Sequence, residues 1–372
     1  MNTKVTTIIG TRPEIIRMSE IIKRLDQVFD HRLIHTGQNF DKNLNKLFFD
    51  SMQIRKPDSE LSLSTFTLAG QLGEIFQGIE KELIENRPDA VIILGDTNSG
   101  LSAIIAKRMN IPIYHIEAGN RSFDINVPEE TNRKIIDHTA DFNLVYSESS
   151  RRNLLTEGFH PRSICLIGSP MKEVIDMNIQ DISRSNVLGK LKLSEDGYFL
   201  ASFHRQENIN NKERALQLHD SLNRIAVHYG IPLIVSTHPR TKQMIENSKK
   251  TFSDLVKLLD PFNFYDYCKL QQKARVVLSD SGSLSEEASI LGFNAITLRD
   301  SMERPEALET GNVMMTGLDF NSIREAISVL ETSKFVPKSP HEYQIQDSSE
   351  RTVRFILSTL GRHVFWSGRR QQ

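Results

Sequence analysis

The sequence predicts an α/β protein built from two Rossmann-like, doubly wound domains facing a cleft. Three observations carry this expectation. At 372 residues the chain is too long for one ordinary core. Short apolar segments of strand length alternate with segments of helical period, the pattern of a parallel sheet covered on both faces. That alternation then starts afresh after GSPM, Gly168–Met171. The expected divisions are residues 1–169 for the first domain, 170–350 for the second, and 351–372 for a closing helix and tail.

In chain order, KVTTIIG reads as a strand, and Pro13 opens the helix PEIIRMSEIIKRL, on which Ile15, Met18, Ile22 and Leu25 form one stripe. RLIHTG, AVIILGD, IPIYHIEAG, FNLVYS and SICLIG repeat the strand pattern, with QLGEIFQGIEKELIEN and SGLSAIIAKRMN as helices between them. Pro128 opens a further helix, PEETNRKIIDH. In the second half YFLASFH, PLIVSTH, RVVLSDSG and AITLRD are strands, and NKERALQLHDSLNRIAVHYG is a connecting helix. ETSKFVPKSPHEYQIQDSS, with two prolines and little periodicity, reads as a loop. ERTVRFILSTLGRHVFW follows as a closing helix with Val353, Ile356, Leu357 and Leu360 on one side.

Composition narrows the function. Apolar residues make up 38% and charged residues 25%, the balance of a water-soluble globular protein. Lys and Arg number 46 against 47 Asp and Glu, so no net basic field draws the chain to nucleic acid. No apolar run approaches a membrane span. The opening MNTKVTTIIGTRPE is too soon broken for a secretory signal. Cys165 and Cys268 match no metal or redox spacing and read as core thiols of a reduced compartment, so the expected location is cytoplasmic.

Seven strands end in polar clusters: GTRPE, HTGQN, GDTNS, HIEAGNR, SFHRQEN, STHPRT and SDSGS. Strand carboxyl ends are where doubly wound sheets bind ligands, so these clusters predict a shared active-site rim. SDSGSLSEEASILG is the phosphate candidate. Ser281, Gly282 and Ser283 lie between a strand and a helix whose N-terminal N–H groups suit an anion, and Glu287 one turn in suits a ribose diol. A serine N-cap boxed with Glu286 or Glu287 accounts for the same residues. GTRPE has one glycine, Gly10, where a dinucleotide site would carry G-x-G-x-x-G, so hydride chemistry on NAD is disfavoured and no cofactor is expected. Arg12 and Arg17 would offer positive charge to a diphosphate. His204 and His238 end successive strands of the second domain and suit phosphate binding or proton transfer. No H-x-x-x-H or C-x-x-C pairing supports a metal; Asp96, His115 and Glu117 fit acid–base chemistry better.

The stretch IEAGNRSFDINVPEETNRKIIDH crowds Glu117, Asp124, Glu129 and Glu130 together. Glu129, Arg133 and Asp137, spaced by four, are expected to pair along one helix face. That pairing leaves Glu117 unexplained, and Asp96 on the neighbouring strand as well.

Together GTRPE, GDTNS, HIEAGNR, VPEETNRK, SFHRQEN, STHPRT, DSGSLSEEASILG and RDSMERPEAL resemble, in order, the motifs of the non-hydrolysing UDP-N-acetylglucosamine 2-epimerases. The resemblance covers nearly the whole chain. It implies the glycosyltransferase-B fold, a homodimer, and a UDP-amino sugar substrate whose UDP is held mainly by the second domain. It places Asp96, Glu117 and Glu129 as catalytic carboxylates at the sugar, His204 and the Ser281–Ser283 turn with Arg12 and Arg17 at UDP, and Glu287 at the ribose. It also implies anti elimination of UDP to a 2-acetamidoglycal, then re-addition. The commonest members have Lys for Arg17, Gly for Ser283, and Leu for Asn120 between Gly119 and Arg121. EAGNRSFDINVPEETNRKIIDH looks more like the branch acting in capsule and O-antigen pathways, which includes epimerases of UDP-2,3-diacetamido-2,3-dideoxyglucuronate and UDP-N-acetyl-6-deoxy-L-talosamine. On that reading Asn120 and Arg121 border the sugar pocket, and Asn120 reads a polar substituent. A UDP-sugar glycosyltransferase of the same fold, or a catalytically silent UDP-sugar sensor, are the alternatives.

Overall fold

The computed structural model describes residues 3–38, 48–65, 67–203, 205, 208, 211–237 and 251–368. Two compact units emerge, one of Met1–Asp176 with Glu342–Gln372 and one of Met177–His341. The first holds β1 (Lys4–Ile9), β2 (Asp30–His35), β3 (Ser59–Glu60), β4 (Ala90–Leu94), β5 (Ile113–Ile116), β6 (Phe142–Val145) and β7 (Ile164–Leu166). Every pairing is parallel, in the order β3-β2-β1-β4-β5-β6-β7. The second holds β8 (Phe199–Ser202), β9 (Leu233–Ser236), β10 (Val256–Leu259), β11 (Val276–Ser279), β12 (Ala295–Thr297) and β13 (Val313–Met315), again all parallel, in the order β10-β9-β8-β11-β12-β13. The two orders are the same doubly wound scheme. Strand order reverses beside the first strand of each unit, between β1 and β4 and between β8 and β11. Ligands of such folds bind outside the carboxyl ends at those points.

The central strands are mostly apolar because helices cover both faces. β4, AVIIL, is buried at every position. In the second unit successive residues of one strand enter different cores. Phe199 and Ala201 pack with Leu218, Leu222, Ile323 and Ile327, while Leu200 packs with Leu270, Leu284 and Ala288. In the first unit Ile8, Val91, Ile93 and Ile113 pack against Ile75, Ile79 and Leu83 of the helix Leu68–Glu85.

The first helix runs Arg12–Val28, with Pro13 in its first turn and a Thr11–Glu14 capping box. Ile15, Met18, Ile22 and Leu25 are fully buried, as their spacing predicts. The segment SGLSAIIAKRMN, expected as one helix, opens as a 3₁₀ turn, Asn98–Ser102, before the α-helix Ala103–Arg108. A short 3₁₀ turn, His341–Gln344, interrupts the expected loop after residue 331.

The compact units do not follow the expected divisions at residues 169 and 350. Residues 342–350 belong with the first unit because Tyr343 is buried, Ser348 Oγ donates to the Ile167 carbonyl (2.9 Å), and Ser349 N donates to Glu173 (2.9 Å). The helix Ser348–Thr359 then packs on the first helix. Tyr114 stacks on Phe142 at 4.7 Å, Phe355 meets both rings edge-on, and Tyr114 Oη bonds Thr359 Oγ1 at 2.8 Å.

Ile356 of this helix is fully buried. Ile356→Ala is therefore expected to lower stability by about 2–5 kcal/mol in chemical denaturation. A loss no larger than that of an exposed-site substitution would contradict this packing.

Candidate active site

The β1–β4 switch point gathers the first group of side chains. Glu14 is buried, and its Oε2 accepts the N–H groups of Gly10 (2.6 Å) and Thr11 (2.7 Å). Its Oε1 accepts the Thr97 hydroxyl at 2.7 Å. Burial pushes the Glu14 carboxyl up to about 7, against the opposing bonds from Thr97, Gly10 and Thr11. Gly10 is required here, since a Cβ would stand 2.0 Å from Ser99 Oγ and 2.3 Å from Thr36 Oγ1. Arg12 is half-buried, its guanidinium 5.7 Å from the centroid of the Phe48 ring.

β5 ends in a turn with two left-handed residues. Glu117 has φ 69° and Gly119 has φ 78°. The left-handed conformation costs a non-glycine residue roughly 1–2 kcal/mol, and such strain concentrates at functional positions. Asp137, on the helix Pro128–Thr139, holds the turn in place. Its carboxylate accepts from Gly119 N (3.1 Å) and Arg121 Nη1 (2.7 Å) and contacts His115 Nδ1 (2.8 Å). Burial alone would raise Asp137, but the bonds from His115 and Arg121 hold it below the usual carboxylate range. At Gly119 a Cβ would meet the Ser150 carbonyl oxygen at 2.3 Å, so the turn lies hard against the helix Glu148–Thr156.

Glu117 itself accepts from Arg17 Nη1 at 2.5 Å, with both side chains buried. Arg17, expected at a diphosphate, is thus paired with the carboxylate at the end of β5. Asp96, just beyond β4, accepts from Arg133 Nε and Nη2, both at 2.7 Å. Arg133 also donates to Glu130 (2.9 Å), whose Oε2 takes the N–H and hydroxyl of Ser122 as well. The expected Glu129–Arg133–Asp137 ladder is not formed by these contacts: Arg133 reaches across to Asp96, while Asp137 turns to β5. Glu129 is half-buried in the first turn of the same helix, and Asp124 closes a local turn by accepting from Asn126 N at 2.9 Å.

Two expected sugar-pocket residues are buried and bonded within the first unit. Arg121 has no exposed side chain and spends its guanidinium on Asp137 and, through two 2.7 Å bonds, on Glu157. Asn120 is 3% exposed; its Oδ1 accepts from Ser150 Oγ (2.8 Å) and its Nδ2 lies 3.4 Å from Glu117 Oε1. Both brace the Glu117 turn from within.

In the second unit the β11 end carries Ser281, Gly282 and Ser283 before the helix Leu284–Leu291. The hydroxyls of Ser281 and Ser283 bond each other at 2.9 Å, and Ser283 makes no side-chain cap, so the boxed-serine arrangement is not built. Glu287 is half-buried and accepts from Gln271 Nε2 at 2.5 Å. Beside the turn is a recess lined by Ser281, Gly282, Arg299, Glu303 and Arg304. Glu303 pairs with Arg299 (2.7 Å), Arg304 (2.9 Å) and Arg205 (3.4 Å), and Arg304 reaches buried Glu286 at 3.2 Å. A Cβ on Gly282 would stand 2.6 Å from Glu303 Oε1. None of Arg205, Arg299, Glu303 or Arg304 is among the expected site residues, although SFHRQEN and RDSMERPEAL contain all four. His204 and His238 lie outside the described residues.

A family model described as UDP-N-acetylglucosamine 2-epimerase matches residues 23–357. The chain belongs to the UDP-N-acetylglucosamine 2-epimerase family. Its fold is of the glycosyltransferase-B type. A family member from Rickettsia bellii, described as a UDP-N-acetylglucosamine 2-epimerase, is 39% identical, with 98% of this chain and 100% of that one covered and a TM-score of 0.91. The Methanocaldococcus jannaschii UDP-GlcNAc 2-epimerase, solved with UDP-GlcNAc and UDP, is 34% identical over 96% and 100% of the two chains, with a TM-score of 0.90. A UDP-2,3-diacetamido-2,3-dideoxy-D-glucuronate 2-epimerase from Pseudomonas aeruginosa is 33% identical over 87% of this chain and 90% of its own. Among the described residues no group of three or more His, Cys, Asp or Glu is placed to hold a metal, and no helix is long and apolar enough to cross a membrane.

Two outcomes follow for this family member. Arg121→Ala leaves buried Asp137 without its guanidinium and is expected to cost about 3–5 kcal/mol of stability, read by denaturation. Glu14, raised in the fold, binds its proton more tightly than the unfolded chain does, so its contribution is full below pH 4.5 and is lost as pH rises through about 7. Against Glu14→Gln, the wild type should therefore lose up to about 3 kcal/mol between those limits and no more above them, measured as the difference in denaturation free energy.

Proposed function

We propose that the protein inverts carbon 2 of a UDP-N-acetylamino sugar by anti elimination of UDP and re-addition to the resulting 2-acetamidoglycal. The observation that supports the reading is that Asp96 and Glu117 stand beyond the adjacent strands β4 and β5, each paired with an arginine, with Glu129 in the first turn of the helix whose Arg133 holds Asp96, in a chain matched along its length to 2-epimerases. The hydrogen on carbon 2 is not next to a carbonyl, so direct deprotonation is out of reach. Departure of UDP from carbon 1 builds oxocarbenium character, which acidifies that hydrogen. A carboxylate then takes the proton from one face, and a second acid returns one to the other before UDP re-adds. Two-faced chemistry needs more than one carboxyl around the sugar, and cations around the departing diphosphate.

Asp96, Glu117 and Glu129 take the sugar side of this scheme. Arg12, His204 and His238 act on the diphosphate, with the Ser281–Ser283 turn holding phosphate and Glu287 the ribose. Arg17 orients Glu117. The likeness to the family extends the proposal to a non-hydrolysing homodimer in the cytoplasm, working in cell-surface polysaccharide synthesis. With Asn120 buried, selection among amino sugars passes to the exposed part of its loop, where Phe123 and Ile125 are 77% and 94% exposed.

The test is incubation in deuterated water with UDP-N-acetylglucosamine, a UDP-6-deoxy-L-hexosamine and a UDP-diacetamido-uronate. Deuterium should enter carbon 2 of at least one, and Asp96→Asn and Glu117→Gln should each slow that entry by about 10²-fold or more. Sugar transfer to an acceptor without exchange would replace epimerisation by glycosyl transfer. Binding without exchange or glycal formation would leave a sensor.

A further inference from the structure

Glu14 does more than close its own helix. In an ordinary capping box the acidic side chain returns to the N-cap backbone and its work ends there. Here Oε2 does that and also takes Gly10 N, while Oε1 leaves the helix to accept the hydroxyl of Thr97 at 2.7 Å. Gly10 and Thr11 immediately precede Arg12, and Thr97 immediately follows Asp96. The carboxylate therefore spans two turns that backbone pairing does not join, because the β1–β4 ladder stops at Ile8 and Ile93. Neighbouring contacts tie the segment after β2 to the turn that follows Thr97. Thr36 Oγ1 and Ser99 Oγ are 2.7 Å apart, and Gln38 Oε1 accepts both Ser99 N (3.1 Å) and Ser99 Oγ (2.9 Å). The Thr97 hydroxyl caps no helix of its own, so its bond to Glu14 is not needed to start the turn Asn98–Ser102.

We propose that Glu14 is a positioning residue for the reaction: it locks the turn bearing Arg12 to the turn bearing Asp96. The cation that meets the departing diphosphate and the carboxylate that works at the sugar are then held in one register. This rests on the function proposed above. Elimination needs both groups in place at once, and misplacement by about 1 Å costs on the order of 10²-fold in rate.

The bond pattern makes the two halves separable. Thr97→Val removes one hydroxyl, keeps the β-branched shape, and uncouples the Asp96 turn from Glu14 while Arg133 still holds Asp96. It should lower kcat at least tenfold while UDP affinity, read by calorimetry, stays within about twofold of wild type. Glu14→Ala frees both turns and should lower kcat by about 10²-fold and weaken UDP binding together. Glu14→Gln keeps an oxygen for the two N–H groups and offers an amide donor to Thr97 Oγ1, so it should recover most of the turnover lost in Glu14→Ala. Turnover is read as deuterium entry at carbon 2, on whichever of the three UDP-sugars the wild type exchanges fastest. Thr97→Val with wild-type turnover, or with UDP affinity lost in step with kcat, overturns the proposal; so does Glu14→Gln as damaged as Glu14→Ala. Should Glu14→Ala fail to fold, Thr97→Val decides alone. If the wild type exchanges no deuterium, the proposed function falls and takes this role with it; if the wild type exchanges and Thr97→Val is unaffected, only the role of Glu14 falls.

Discussion

The candidate site of the first unit depends on the buried carboxylate of Asp137. A charge without water costs several kcal/mol unless it is paired and its oxygens are filled. Asp137 meets that demand with His115 from β5, the Gly119 N–H from the turn, and the Arg121 guanidinium just beyond. Each partner is thereby fixed relative to the helix that carries Asp137. His115 in turn reaches the Gly95 carbonyl at the end of β4 through Nε2, at 2.8 Å. One acid thus ties β4, β5 and a helix together at the place where Asp96 and Glu117 emerge. The left-handed backbone of Glu117 persists because these bonds leave the turn no other path.

The second unit meets a like problem with a different arrangement. Its strand order is the same, but the β11 end is organised by several acids: buried Asp280 accepts from Arg205 N (3.2 Å) and Asn208 Nδ2 (3.0 Å). Glu303 and Glu286 share Arg205, Arg299 and Arg304 beside it, packed so closely against Gly282 that a Cβ there would displace the Glu303 carboxylate. A network of this kind is costly to bury and strongly directional once satisfied. It holds three guanidinium groups beside a turn of serines, an arrangement suited to an anion of defined shape.

The parts of this structure visible in the sequence are those that repeat a physical pattern over several residues. The apolar strands and the Ile15–Leu25 stripe follow from period and backbone preference. The edge strands β3, β10 and β13 escape this reading. They are two to four residues long, and their polar or exposed positions dilute the apolar signal. The strand endings mark the site region, but not which side chain faces which. Arg121 and Asn120 carry polar groups at sugar-site spacing, and only the path of the Glu117 turn shows that they point inward. Asp137 pairs across elements rather than along its helix, which spacing by four cannot foresee. Glu14 looks like half of a capping box, and its second partner lies 83 residues further along the chain.

Residues 342 onward complete the first unit, with the second unit inserted between its two parts. During synthesis, therefore, the seven strands emerge long before the helix that covers Tyr114, Phe142 and the first helix. Until Ser348–Thr359 arrives, that apolar face stays open, and the long loop to be closed spans the entire second unit. The inserted unit is continuous in sequence and can form as the ribosome releases it, while its older neighbour waits unfinished. The order of birth and the order of completion are thus reversed, and the interval between them is when the nascent chain is most exposed to aggregation and most in need of chaperone cover.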